Sequence, residues 1–593
     1  MISPHPPSEF IEAQSDEGFL AELARAQPEN PQIFWRIALV YLKLGRGADA
    51  VQAAERAVAL APENGDALLA LAQVRRSQGH GEDARRLLER AVAISPQLAS
   101  AWLALGDILA ASPASLEAAS EAFRRAAALL PGDPRPLSGL ATVLMGLRRF
   151  EDAVTAYRSA VAAGASPNAG DLLNNLGVAL ERLERRDDAV AMLRAAALVR
   201  PDSPAIWDNL GNALLATGQV AEAESCHRRA LSLGAKGAET WSNLGNSLHR
   251  QGRLDEADSA YRRAIQMQPA LGKFHTNLAL NLMLSGRDQE GWREYEWRWR
   301  DHPNLPAYLR DQAWSGEALA AGLPGGGTLL LQAEQGYGDT IQFVRFAPLL
   351  RQRGVSRVVL ACQPELVRMM ATAPGLDQVV GETGPLPPFD RAITLMSLGG
   401  LFAADGAPPP AEIPYLRVPS GAGVDLPEPA GGRAPGLKVG IAWAGRPTHG
   451  DDWNRSIPAR LLAPLLAVPG ATFYSLQRGG VSERLGRPPE ESVLEAADRA
   501  ADFADTAAIV AAMDLIISVD TAVVHVAGAL GKPVWLLLPP VPDFRWRMEG
   551  ETSPWYPSLR LFRRKFDLGW EPVIVGVAER LHGLVKSVSA SQS

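Results

Sequence analysis

Two short stretches place a carboxylate at the start of a helix in a pattern suited to anion binding. The first is Glu334-Gln335-Gly336-Tyr337-Gly338-Asp339. Its glycines let the backbone turn tightly and approach a ligand, and Asp339 stands where the next helix begins. A carboxylate there either caps the helix or stands beside that ligand. The second stretch is Asp520-Thr521-Ala522-Val523-Val524-His525, whose helix is closed by Gly531 and Pro533. A strand running into Asp520 and a helix starting near Thr521 direct free amides and partial positive charge outward, which suits a phosphate or pyrophosphate. His525 falls one turn into that helix, as a structural imidazole or as a group beside the phosphate. A third segment, 440–445, contains Trp443 and leads into a polar loop, 446–455. Arg455 in that loop either offers a fixed positive charge to a departing phosphate or is a solvated surface charge. His449, Asp451 and Asp452 lack partners at ligand spacing, so no metal is expected.

The elements that position these groups read as short strands alternating with helices. Strands are expected at 328–333 and 357–363, and helices at 340–353 and 364–373. A proline- and glycine-rich region, 384–436, separates these from a second alternating stretch with strands at 437–443, 472–476, 515–520 and Val534–Leu538. This is a parallel α/β pattern in two lobes, 326–420 and 436–593, preceded by a connector, 301–325. Ligands of such sheets bind beyond the strand ends, in the cleft between lobes.

The first half of the chain follows another rhythm. Asn175, Asn209, Asn243 and Asn277 are 34 residues apart (209−175, 243−209 and 277−243). Counting a unit from Pro204, Trp207, Leu210, Gly211 and Leu214 hold places four, seven, eight and eleven, and Ala223 and Ala230 hold places twenty and twenty-seven. This is the tetratricopeptide signature, and residues 31–300 read as an α-solenoid of roughly eight such units after an extension, 1–30. The aromatic and basic run 291–300, GWREYEWRWR, closes the array and is expected to dock it onto the next domain. At about 100° per residue the sixth place faces away from the apolar stripe, so its asparagines should line the groove formed by the first helices. Asn212 and Asn246, at the ninth place, are expected on the same open side. An amide carries donors and an acceptor and can bind the backbone of an extended peptide; alternatively, Asn-Leu-Gly is simply frequent in such repeats.

Composition sets the limits. The chain is 47% apolar and 21% charged, enough to fill several cores, and its net charge of −7 with a pI near 5.8 argues against a nucleic-acid surface. No run of eighteen or more apolar residues occurs, and residues 1–17 carry prolines and acids rather than a basic and apolar signal, so a cytoplasmic chain without membrane insertion is expected. Cys226 and Cys362 are expected to be packed core thiols.

The segments EQGYGDTIQF, GIAWAGRPTHGDDWNRSIP, SVDTAVVHVAGALGKPVW and SPWYPSLRLFRR resemble the heptosyltransferase-like, family 9 type of glycosyltransferase domain, here joined to tetratricopeptide repeats. The combination is similar to bacterial protein glycosyltransferases, including those that modify flagellin, and in layout to O-GlcNAc transferases. The resemblance implies a GT-B fold, a nucleotide-activated sugar donor linked through CMP or a nucleoside diphosphate, and neither cofactor nor catalytic metal. It carries the base onto Asp339 beside Gly338, with His525 as the other candidate, and donor binding onto Gln335, Gly336, Gly338, Trp443, Arg455, Asp520, Thr521, Ala522 and His525. Ala522 replaces a glycine of the family motif, and Arg455 stands where those enzymes often have lysine. The acceptor would be a polypeptide, flagellin foremost, held by Asn175, Asn209, Asn212, Asn243, Asn246 and Asn277. Two rivals remain: a lipopolysaccharide-type sugar transferase, and a repeat scaffold or export chaperone with inactive lobes. Oligomeric state is open, since solenoids can self-associate.

Overall fold

The structure, a computed structural model, describes residues 8–164, 169–300, 305–316, 327–404, 409–429, 436–446, 452–478 and 485–592. The chain forms two compact units, 1–213 and 214–593. His449 and Asp451 lie outside the described residues, as do the N-terminal seven residues and much of the connector.

In the first unit, helix pairs such as Pro31–Lys43 with Gly47–Leu60 and Gly65–Ser77 with Gly81–Ile94 repeat as the sequence rhythm requires. The small residue at place eight has a steric cause. A methyl group added at Gly106 would lie 2.8 Å from the Phe123 ring, and one at Gly177 would lie 2.6 Å from Leu193, so at these two places the helices of a pair close over glycine. Alanines at the start of the second helices, Ala50, Ala84, Ala153 and Ala189, are fully buried for the same reason. Within a pair the connecting turn needs positive φ, supplied by Gly45 and Gly79 and, less comfortably, by Arg148 and Glu184. Successive first helices also pack on one another, so the face they share is the inner one.

The second unit begins with the final repeats, including Ala238–Arg250 with Leu254–Met267 and Gly272–Leu284 with Asp288–Tyr295. Gly245 repeats the close approach, its added methyl falling 2.5 Å from Tyr261. Two parallel sheets follow. The first contains β1 (Thr328–Gln332), β2 (Arg357–Cys362), β3 (Gln378–Gly381) and β4 (Arg391–Thr394) in the order β3-β2-β1-β4. The second contains β5 (Leu437–Ala442), β6 (Ala471–Ser475), β7 (Leu494–Glu495), β8 (Leu515–Val519), β9 (Val534–Leu538) and β10 (Leu559–Arg563) in the order β10-β9-β8-β5-β6-β7. The buried runs in β1, β5 and β8 mark the sheet centres, where apolar residues are needed on both faces. The terminal helix Glu571–Gln592 covers one face of the second sheet, burying Ile574, Val577 and Leu581 with Val439 and Phe473.

The expected helix-pair repeats followed by a two-lobed α/β domain are present, with three local differences. The helix at 340–353 is α-helical only over Tyr337–Phe343 and continues as a 3-10 turn to Arg353, because Pro348 lacks the N–H that an α-helix would use. The 364–373 helix shrinks to Pro364–Leu366 and one turn, Val367–Met370. The stretch 384–436 is not only a linker: it contributes β4, paired with β1, and the helix Ser397–Ala403. Four residues between proline-rich flanks carry too little periodicity to announce a strand. Cys226 and Cys362 are buried, and no helix among the described residues is long and apolar enough to cross a membrane.

Candidate active site

Every candidate group of the α/β lobes sits just beyond the C-terminal end of a parallel strand. Glu334 to Asp339 follow β1, Trp443 to Gly445 follow β5, Asp520 to His525 follow β8, and Asp543 to Arg547 follow β9. The helix Tyr337–Phe343 of the first lobe packs against the helix Ala522–Ala529 of the second, so the Asp339 and Asp520 corners face each other. Gly338 lies against the His525 imidazole: a methyl group there would be 2.7 Å from Cδ2 and 3.2 Å from Nε2. His525 cannot easily give way, since its Nδ1 is 2.9 Å from the Tyr556 hydroxyl and its ring lies beside Trp546. Gly338→Ala is therefore expected to destabilise the fold by about 1–3 kcal/mol through overpacking. Urea unfolding measures this, and a wild-type midpoint would mean that His525 can retreat.

The corner at Glu334 is anchored from the last repeat. Arg298 donates from Nε to Glu334 Oε2 at 2.8 Å and from Nη2 to Ser397 Oγ at 2.8 Å, while Glu334 Oε1 accepts the Met396 N–H at 3.0 Å. Trp292 packs its indole against Phe343 and over Gly399. The run 291–300 thus docks the repeats as its composition suggested. Gln335 donates from Nε2 to the Tyr295 hydroxyl at 2.5 Å, and Tyr337 packs on Phe503.

Asp339 caps its helix and also meets a cation of the second lobe. Its Oδ2 accepts the Gly336 N–H at 2.9 Å, and its Oδ1 accepts from Arg545 Nη2. Arg545 was not singled out from the sequence, yet it is the central cation: its side chain is 8% exposed, and it also donates to Gln342 Oε1 and, at 2.7 Å, to Asp543 Oδ1. Because Asp339 belongs to the first lobe and Arg545 to the second, this pair spans the two. Burial pushes the Asp339 carboxyl above its ordinary range, and the Arg545 charge pulls the other way. The adjacent Trp546 donates from Nε1 to Asp520 Oδ2 at 2.8 Å. Burial and then the Asp543 charge push Asp520 up to about 6. The signal that could have found Arg545 is positional: an acid, two arginines and two aromatics immediately beyond a central parallel strand.

His525 is driven well below the usual histidine range, by burial first and then by Arg545 and Arg345. It is therefore neutral at neutral pH and can offer a hydrogen bond or a lone pair, not a charge, to a leaving group. Arg455 is well placed: Nη1 donates to the Asp520 carbonyl at 3.1 Å, and the guanidinium lies so close over Gly445 that an added methyl would be 2.5 Å from Nε. Asp452 faces Arg455 and accepts from Ser456 Oγ at 2.8 Å. Thr521 precedes the helix Ala522–Ala529, its hydroxyl 3.3 Å from Ser518 Oγ, and Ala522 is half-buried. Trp443 departs from expectation, because its side chain is 2% exposed and packed in the core beneath β5 rather than presented to a donor. A large indole following a strand buried on both faces gains more from that core than from solvent.

The asparagines are half-buried on the first helices. Several are joined to neighbours: Asn209 Nδ2 donates to Asn174 Oδ1 at 2.9 Å, and Asn174 Nδ2 to Asn175 Oδ1 at 3.2 Å. In the second unit Asn277 Nδ2 donates to Ser242 Oγ at 3.1 Å. Asn246 differs from the open placement expected, since its Oδ1 accepts from the buried Tyr261 hydroxyl at 2.9 Å, inside its own helix pair. Asn212 is also half-buried, and the Asn243 backbone oxygen accepts from Ser247 Oγ.

Models of the tetratricopeptide repeat match residues 41–108 and 139–206, 176–236 and 209–271. The model of Glycosyltransferase family 9 (heptosyltransferase) matches residues 500–564, which contain Asp520, His525 and Arg545. The chain carries tetratricopeptide repeats and a family 9 glycosyltransferase domain. Protein FlbA of Caulobacter vibrioides is 29% identical over 333 residues, 50% of this chain and 53% of that protein. The chain thus spans about half the length of the curated relative it matches. Among solved structures, the APC/C hetero-tetramer Cut9-Hcn1 matches at TM-score 0.34 and 18% identity, over 49% of this chain and 56% of that one. Pseudomonas aeruginosa pilF matches at TM-score 0.31 and 20% identity, over 35% and 92%. The matched segment contains the Asp520 and Arg545 side of this cluster, and the Gly338-Asp339 corner lies outside it.

Proposed function

We propose that this chain is a protein O-glycosyltransferase that moves a sugar from a nucleotide-activated donor to a Ser or Thr hydroxyl, with the repeats holding the polypeptide acceptor. The observation that carries the reading is the convergence of Asp339, Arg545, Arg455, Asp520 and His525 at facing strand ends of a family 9 domain. In the step envisaged, the acceptor oxygen attacks the anomeric carbon as its proton passes to Asp339. The bond from that carbon to the phosphate oxygen breaks, and the electron pair leaves with the phosphate, so the anomeric centre inverts. Arg455, Arg545 and the amides opening Ala522–Ala529 supply fixed positive charge to the departing phosphate, so no metal is required. Asp520 orients its corner through Trp546.

Flagellin is the first acceptor to test, and both CMP-linked nonulosonic acids and UDP-linked hexoses suit the chemistry. Intact mass spectrometry of flagellin co-expressed with the active chain should reveal a discrete added sugar mass. An unchanged mass, with sugar appearing on glycolipid instead, would favour the lipopolysaccharide-type alternative. The repeats are expected to act on acceptor affinity: replacing Asn209, Asn243 and Asn277 together by Ala should raise the acceptor KM by about tenfold while leaving donor hydrolysis unchanged. Equal loss of both activities would show instead that these amides hold the repeats together.

A further inference from the structure

The segment after β9 sends its side chains in different directions. Phe544 meets Trp292 of the last repeat edge-on at 5.8 Å, while Arg545 and Trp546 reach Asp339 and Asp520. Arg547 reaches back to the repeats, donating to the Met283 carbonyl and to the Asp288 carboxylate. Met283 lies at the end of Gly272–Leu284 and Asp288 opens Asp288–Tyr295, so both belong to the turn of the final helix pair.

The backbone at Arg547 has φ 59° and ψ 173°, a positive-φ conformation that is essentially reserved to glycine. Among the described residues the other non-glycines with positive φ, Arg148 and Glu184, occupy inter-helix turns where other repeats place glycine. Arg547 alone of the three lies outside the repeats, and such a conformation persists only where the surroundings over-determine it. The surroundings here are Asp288 and Met283 on one side and Arg563 on the other, which donates to the Trp546 carbonyl at 2.6 Å and to the Arg547 carbonyl at 2.9 Å.

We propose that Arg547 is a positioning residue: pegged by the turn of the last repeat, it fixes the strap that aims Arg545 at Asp339 and Trp546 at Asp520. The repeats then set the rate of the chemical step as well as recruiting the acceptor. This rests on the glycosyltransferase reading above. It also differs from a purely recruiting role for the repeats, which leaves reaction with water as acceptor untouched by any change in them.

The test is donor hydrolysis by the full chain, with UDP-, GDP- and CMP-linked sugars as probes. Arg547→Ala and Asp288→Ala should each lower kcat by about tenfold or more with donor KM nearly unchanged, because misaligned catalytic groups lose rate before they lose ground-state binding. Arg547→Gly accommodates the positive-φ backbone but deletes the tether, and should be as slow as Arg547→Ala. The reversed pair Asp288→Arg with Arg547→Asp should recover part of what either reversed single variant loses, which ties the loss to this ion pair; the fall in kcat at nearly constant donor KM is the readout that a merely structural role would not produce. Wild-type kcat in Arg547→Gly, or no recovery in the reversed pair, overturns the proposal. A wild-type chain that hydrolyses none of the probes and binds no nucleotide defeats the glycosyltransferase reading itself, a result visible before any variant is made.

Discussion

Asp339→Asn should reduce sugar transfer by about a thousandfold while nucleotide binding stays within a few fold of wild type. Asparagine keeps the shape, and its carbonyl can still accept the Gly336 N–H that Oδ2 accepts at 2.9 Å, so the helix start is retained. What is lost is the group able to take the acceptor's proton. The change also removes the anionic partner of Arg545, which keeps Asp543 at 2.7 Å and so is not left bare. Nucleotide binding by calorimetry and transfer to flagellin by intact mass separate the two roles that Asp339 could play. Loss of transfer alone fits the base. Loss of both would mean that the pair with Arg545 chiefly holds the lobes together, and unchanged transfer would reject Asp339 as base and turn attention to the neutral His525.

Much of this architecture is legible in the chain because the repeats and the sheet centres obey strong local rules. Places eight and twenty of the repeat are small because a second helix passes within van der Waals distance, and that constraint is written at Gly106, Gly177 and Gly245. The central strands β1, β5, β8 and β9 are continuous apolar runs, and each is found within a residue or so of where those runs lie. The short strand β4 is not legible, since its four residues become a strand only by pairing with β1. The same distinction separates the site residues. Asp339 follows a strand and a glycine turn and Asp520 follows a strand directly, whereas Arg545 acquires its meaning from partners 206 and 203 positions away, Asp339 and Gln342. Helix angle alone likewise does not reveal that Tyr261 reaches across from the paired helix to Asn246.

Arg545→Gln should move the acid limb of the transfer rate to higher pH and make the fold more sensitive to pH. The Asp339 carboxyl is already raised by burial, and Arg545 is the charge that restrains it. Without that charge its folded-state pKa climbs further. A base works only when deprotonated, so activity, lost as pH falls through that pKa, should now be lost at a higher pH than in wild type. Stability follows the same linkage. A carboxyl whose folded pKa exceeds its unfolded value binds protons more tightly in the native state, so stability is greatest below the unfolded value and declines as pH rises through the folded one. Asp520, at about 6 against an ordinary 3.8, already behaves this way. Removing Arg545 leaves Asp339, Asp520 and Asp543 with less positive charge among them, and breaking such a buried pair costs about 3–5 kcal/mol when the remaining carboxylates are ionised. Urea unfolding at pH 8 should show most of that cost, and at pH 5, below the Asp520 value, clearly less, with the burial-raised Asp339 carboxyl acting in the same direction. Equal destabilisation at both pH values would assign Arg545 a packing role, because contacts with Phe343 and Phe544 do not depend on protons whereas its hold on the carboxylates does.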